Sequence, residues 1–190
     1  NKLKLMEWLD EKEKERKVNM QKINLTESLS IKKLNPNNPL DVLLIEELEQ
    51  DKEISGDKGY LGSLMSEIKN KKHLYHEKLY NSSYIIYHQR YPIGYLKISP
   101  MFMYEGENMV DISYAIHKEA RHKGYMYQTL ESVVDTLYDT YSEIEKIMLL
   151  IDYKNKASRN VARHAGFISD GLTEEENKER EYVIYQKTRK

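Results

Sequence analysis

Residues 109–131 read MVDISYAIHKEARHKGYMYQTLE, and the order of patterns within them decides the fold. From Val110 to Ile116 apolar residues alternate with polar or small ones, as in a half-buried strand whose side chains point to opposite faces in turn. A polar, basic turn with a single glycine follows, HKEARHKGY. Met126, Leu130, Val133, Val134, Leu137 and Tyr141 then recur at helical spacing, which predicts a helix starting near Gly124.

A strand, a basic turn and a helix N-terminus together make an anion site. The first backbone N–H groups of a helix have no intrahelical acceptor, and the helix dipole is positive at that end. The dipole contributes ~0.3–1 kcal/mol, and each hydrogen bond to a charged group adds roughly 1.5–3 kcal/mol net. Several amides converging on one pyrophosphate therefore suffice to hold a cofactor, and Gly124 lets the backbone come close.

Further along, residues 147–167 read IMLLIDYKNKASRNVARHAGF: an apolar strand, a turn, a helix beginning near Asn155 or Lys156, and Gly-Phe as its stop. The two stretches together resemble the GNAT (Gcn5-related) N-acetyltransferases. RHKGYM is similar to that family's Arg/Gln-x-x-Gly-x-Gly/Ala turn, with Arg121 and Gly124 in place and Met126 where a small residue is usual. Asn155, Ser158, Gly166 and Phe167 match the family's second motif in order and separation. The resemblance covers about residues 23–187.

The resemblance implies an α/β (α+β) fold. Its core is a central mixed, mostly antiparallel sheet of about six to seven strands flanked by helices, with a V-shaped splay between the fourth and fifth strands. The domain is expected over residues 21–190, after a charged helical arm at 1–20. The implied co-substrate is acetyl-CoA, with no metal, and the implied contacts are Ile116, His117, Arg121, His122, Lys123, Gly124, Tyr125, Met126, Asn155 and Ser158. The oxyanion donor is expected at a backbone N–H near Ile116 or His117, where the family's central strand bulges.

Acetyl transfer to an amine needs that amine neutral. At pH 7 this costs about 4–5 kcal/mol for a Lys-like amine and about 1 kcal/mol for an α-amine. Asp111 stands where many family members place an acidic residue facing the acceptor, and is the candidate general base. Many members also carry a Tyr seven residues after the Asn as general acid; here that position is Ala162. In this the chain resembles the ribosomal-protein-alanine N-acetyltransferases, and Ser158 becomes the candidate acid. The expected acceptor is a primary amine, on a protein N-terminus or a small cationic molecule. A CoA-binding module without catalysis is the alternative.

Composition narrows the rest. Thirty Lys and Arg against 31 Asp and Glu leave a net charge of −1, which does not suggest a nucleic-acid partner. The absence of Cys excludes disulfides, thiolate zinc sites and a Cys nucleophile. No apolar run reaches ~18 residues, so no membrane partner is expected. The N-terminal apolar stretch is too short for a secretory signal, leaving the cytoplasm as the expected location. Starting on Asn1 rather than Met leads us to expect a trimmed or partial chain.

Along the chain, residues 23–34 predict a first strand and Pro39 opens a helix with Leu40, Leu43, Leu44 and Leu48 on one side. A further helix is predicted through Leu61, Leu64, Met65, Ile68, Tyr75 and Leu79, with His73 and His76 on its surface. Tyr84–His88 and Ile93–Ser99 form a hairpin across QRYP. EYVIYQKT reads as the last strand, after the acidic connection TEEENKERE, which in the family overhangs the acceptor and so weakly favours a cationic one. Trp8 in the arm is a candidate contact with the domain or with a second subunit in a homodimer.

Overall fold

The computed structural model describes residues 22–54, 82–101 and 108–189. The arm with Trp8, the helix expected around residues 61–79 with His73 and His76, and most of the loop before residue 109 lie outside these. The described chain forms β1 (Lys22–Asn24), β2 (Leu29–Lys33), α1 (Pro39–Gln50), β3 (Ser82–His88), β4 (Tyr91–Met101), β5 (Met109–Ile116) and a 3-10 turn at Lys118–Ala120. It continues with α2 (Tyr125–Thr140), β6 (Lys146–Asp152), α3 (Lys156–His164), β7 (Ile168–Ser169), α4 (Glu174–Arg180) and β8 (Tyr182–Thr188).

All eight strands join one sheet in the order β1-β2-β3-β4-β5-β6-β8-β7. Every described pairing is antiparallel except β5 with β6. The expected first strand is in fact a hairpin. Thr26 Oγ1 accepts the N–H groups of Ser28 and Leu29 at 3.3 and 3.0 Å and turns the chain between β1 and β2. Alternation continues through such a turn, so periodicity alone does not reveal it. The short edge strand β7 is the other addition to the predicted count.

Two layers sandwich the sheet. On one face, Val110, Ile112, Ile147 and Leu149 pack with Met126, Leu130, Val133, Val134 and Leu137 of α2 and Ala162 of α3. On the other, Ile85, Tyr87 and Tyr95 pack with Leu44, Ile45 and Leu48 of α1. Leu40 and Leu43 are exposed, contrary to the predicted apolar side of that helix. The cause is Asp41, which is buried, receives the hydroxyl hydrogen of Tyr87, and accepts the Asn35 N–H at 2.9 Å. Anchoring that carboxylate inward rotates α1 so that positions 41, 44, 45 and 48 face the sheet.

The sheet opens where the site lies. β5 stays paired with β4 as far as Gly94↔Ile116, but pairs with β6 only at Met109↔Lys146, Val110↔Ile147 and Asp111↔Met148. Beyond Asp111 the two strands part. With the first hairpin counted as two strands, this is the expected V. A Cβ at Gly94 would come within 2.7 Å of the Ala115 carbonyl oxygen, so the β4–β5 contact opposite the V requires a glycine. No helix among the described residues is long and apolar enough to cross a membrane.

Candidate active site at the splayed strands

Along a strand, successive backbone groups point to opposite edges. The His117 N–H donates to the Ile93 carbonyl at 2.8 Å, and Ile116 stands opposite Gly94. His117 is therefore bonded to β4, while the amides of Ile116 and, two residues back, Tyr114 face the opening. Of the two expected donor positions, only Ile116 has its N–H on the open edge. No register shift interrupts β4–β5, so the V opens without a bulge in β5. At ~3.3 Å per residue, Tyr114 lies ~10 Å along the strand from Asp111 and Ile116 ~17 Å. The alternation pattern marks Tyr114 only as a core-facing aromatic, and no local spacing singles it out as part of a site.

The turn that follows is built from local chemistry. His117 caps the 3-10 turn by accepting the Glu119 N–H on Nδ1 at 3.3 Å, and its Nε2 lies 3.0 Å from Glu47. His122 and Gly124 are left-handed, with φ of 61° and 78°. Gly124 is the N-cap of α2 and offers no side-chain cap, so the first N–H groups of that helix remain for a ligand. A Cβ on Gly124 would meet the Tyr127 ring at 2.9 Å. Met126 points into the core, so its replacement of a small residue leaves the amide in place.

The side chains of the turn are disposed differently. The Arg121 guanidinium binds Asp51 at 2.7 Å, Glu53 at 2.6 Å and the Ile116 carbonyl at 3.2 Å. Its charge is balanced by two carboxylates. The Tyr125 ring stacks on His88 with centroids 4.5 Å apart. With Lys123 it lines a concavity of about 380 Å³ against Leu40, Leu43 and Tyr91, whose walls include no residue of β6 or α3. His122 is exposed.

Across the V, Asn155 caps α3 by accepting the Ser158 N–H on its side chain at 3.0 Å. The Tyr114 hydroxyl donates to the Ser158 carbonyl at 2.9 Å, joining β5 to the first turn of α3. Burial, and then the neighbouring Tyr185, push the Tyr114 phenol above its ordinary range, so it remains a donor. Ala162 is fully buried. Arg159 secures the helix by donating to the Tyr153 carbonyl at 2.8 Å and to Glu174 at 2.7 Å.

Asp111 lies on the opposite face of β5 from Tyr114, at the last residue paired with β6. Its flanking residues across the ladders are Ser99 and Met148. Met109, Met148 and Ile184 form a buried apolar cluster on that face, with Tyr182 beside them. One carboxylate oxygen, Oδ1, is buried without a hydrogen-bond partner, and the Ser113 hydroxyl is 3.4 Å from the other. Burial outweighs the Ser113 hydroxyl and the Lys97 cation, which both favour the charged form, and leaves the carboxyl raised to about 6. Such a group is mostly ionised at neutral pH and lacks a partner for the proton-accepting oxygen.

The acidic run expected to overhang the acceptor is helix α4 rather than a loop, started by a capping box between Thr173 and Glu176. Glu174 is paired with Arg159 and Glu176 with its own N-cap, so these two carboxylates hold structure. Among the described residues no group of three or more His, Cys, Asp or Glu is arranged to hold a metal ion.

Comparisons with known proteins place this geometry. A search of curated proteins finds no match. Among solved structures, the fold is similar to an apo form of RimL, described as a ribosomal L7/L12 α-N-protein acetyltransferase. That match has a TM-score of 0.66 at 18% identity and covers 88% of this chain and 94% of that one. The same enzyme in complex with coenzyme A matches with a TM-score of 0.65 at 19% identity, covering 88% and 97%. The microcin C7 self-immunity acetyltransferase MccE, in complex with acetyl-CoA and AMP, matches at 0.59 and 15% identity, covering 88% and 96%. At these identities the likeness is one of fold. The family model described as the acetyltransferase (GNAT) domain matches residues 41–168, which include α1, the splayed strands, the Gly124 turn and α3, and by that match the chain belongs to the GNAT acetyltransferase family.

Proposed function

We propose that this chain transfers the acetyl group of acetyl-CoA to a primary amine by direct attack, and that the amine is the α-amine of a protein or peptide. The observation that carries the reading is Asp111, a half-buried carboxylate whose buried Oδ1 has no partner, at the point where β5 and β6 part. The pyrophosphate would meet the uncapped amides at Gly124–Met126, and the pantetheine arm would pair along the open edge of β5 at Ile116. The acceptor would approach from the opposite face, over Met148 and Ile184.

In the reaction the amine nitrogen forms a bond to the thioester carbon and the carbon–sulfur bond breaks. The ammonium proton goes to Asp111, by way of water where the acceptor sits farther off. The Tyr114 N–H is the open-edge donor nearest Asp111, which makes it the candidate for the charge that develops on the carbonyl oxygen. The departing thiolate takes a proton from the Ser158 hydroxyl or from water, and the second proton, shed by the nitrogen as the amide forms, replaces it. A base near 6 lies about two units below an α-amine but about four below a Lys-like amine, so the first transfer is far less uphill. Because Glu174 and Glu176 are engaged within the fold, α4 gives little support to a cationic acceptor. The relatives described as α-N-protein acetyltransferases support the same choice.

Free-thiol release with acetyl-CoA against a panel of α-amino peptides, polyamines and Lys side chains tests the reading. Release with the peptides is expected. Binding of CoA without release on any amine would make this a binding module.

A further inference from the structure

Lys97 lies on β4 opposite Ser113, on the same face as Asp111 and one diagonal step from it across the ladder. Diagonal neighbours in an antiparallel pair are about 7–8 Å apart, within reach of a long side chain. We propose that Lys97 is a positioning residue of the acceptor site, whose cation keeps the Asp111 carboxylate charged within an otherwise apolar floor. The inference rests on the reading of Asp111 as the acceptor-side base.

Asp111 is flanked by apolar groups and by two hydroxyls, of which Ser113 faces its Oδ2 at 3.4 Å. Met109 and Ser113 are its same-face neighbours along β5, Ser99 is opposite on β4 and Met148 on β6. Other titratable groups share this face. Lys146 is diagonal to Asp111 on β6, and Asp152 and Tyr182 are paired with each other farther along β6 and β8. In the other direction Tyr95 stands opposite Ala115, its hydroxyl 3.1 Å from Ser83, and His117 lies at the far end of β5. Asp152 is ~13 Å and His117 ~20 Å away by strand rise. Lys97 and Lys146 are the two nearby cations; Lys97 stands directly opposite Ser113, the residue that faces Oδ2 of Asp111, and its charge adds to that hydroxyl in holding the carboxyl down. Burial alone would keep the carboxyl protonated to higher pH, and a protonated Asp111 accepts nothing. Lys97 thus bears on the pH at which the base becomes available, without itself touching the reacting atoms.

The test is the titration of the Asp111 carboxyl by carbon NMR in the full chain, together with the pH profile of kcat/KM on an α-amino peptide. Lys97→Met is expected to move the carboxyl titration and the acid limb of the profile upward together, by about one pH unit. Lys97→Arg should return both most of the way. Lys97→Gln serves if the Met variant does not fold. An unmoved titration in folded Lys97→Met or Lys97→Gln overturns the proposal. So does a shift of equal size in Lys146→Met, which would make the field of the whole face responsible. The titration needs no turnover, so a shifted carboxyl in a protein that acetylates no amine would leave Lys97 in its role and remove the acetyl-transfer reading instead.

Discussion

The N-termini of α2 and α3 stand on either side of the same opening and are finished in opposite ways. α3 is closed by Asn155, whose side chain takes the Ser158 N–H; α2 begins at a left-handed glycine with no side-chain cap. Arg121 and Asp111 differ in the same sense. The guanidinium is bound by two carboxylates and a carbonyl, whereas one Asp111 oxygen is buried without a partner. A buried polar group without a partner costs about 1–3 kcal/mol; Thr129, Arg159 and Asp170 each carry one such atom as well, and it is the position of Asp111 at the opening that ties its free oxygen to a ligand. At the opening, satisfied groups should then matter to stability, and unsatisfied ones to function.

The largest expected effect would undo this contrast if absent. Asp111→Asn should lower turnover by roughly 10²–10⁴-fold and leave CoA binding alone. Rescue should come by about pH 9 for an α-amine and by about pH 11 for a Lys-like one. Stability should move the other way. The folded pKa of Asp111 is raised from 3.8 to about 6, so stability is full below the unfolded value and is lost as pH rises through the folded one. Removing the charge should therefore stabilise the protein at neutral pH by up to about 3 kcal/mol, with no gain below about pH 4. Denaturant titrations at pH 4 and pH 7.5 read the difference. Parallel pH–rate profiles with no rescue would take Asp111 out of the mechanism.

Gly124→Val comes next. With φ at 78° and a ring 2.9 Å from the added Cβ, the turn would shift away from the ligand, and CoA affinity by calorimetry should fall by about tenfold or more. Unchanged affinity would mean that the uncapped helix end is not the pyrophosphate site. Asn155→Ala probes the closed helix end. Loss of the cap should cost about 1 kcal/mol, and the loosened first turn should raise the apparent KM for acetyl-CoA. A raised KM at unchanged stability would make Asn155 a direct contact rather than a cap. The smallest effect on CoA binding is expected at Arg121. Arg121→Gln should change CoA affinity less than Gly124→Val does and show instead as lost stability, because it leaves Asp51, which is largely buried with it, without its cation.

Much of the fold and part of the site are legible in the residues alone. The strand from Val110, the helix from Gly124, the cap at Asn155 and the Gly-Phe stop rest on contacts a few residues apart, which spacing records. The same holds for the inward-facing Met126, which continues the apolar stripe of α2. Thr26 is harder to see, because a turn bonded over two or three residues leaves the alternation on either side intact. The capping box of α4 is written locally in TEEE, but the acidity of that run gives it the look of a solvated connection.

Periodicity and neighbours within one turn set the elements, their order around the opening, and the residue types available for chemistry. Which of those groups are free to act depends on contacts that spacing does not carry. Arg121 is neutralised by carboxylates some 70 positions earlier in the chain, and α1 is rotated by a tyrosine 46 positions later. The His117 amide is taken by Ile93 on a neighbouring strand. Asp111 is a strong base candidate because residues from three other strands remove its water and one of them supplies a cation. Burial and pairing are sums over partners distant in the chain, and they set the protonation and availability of each group.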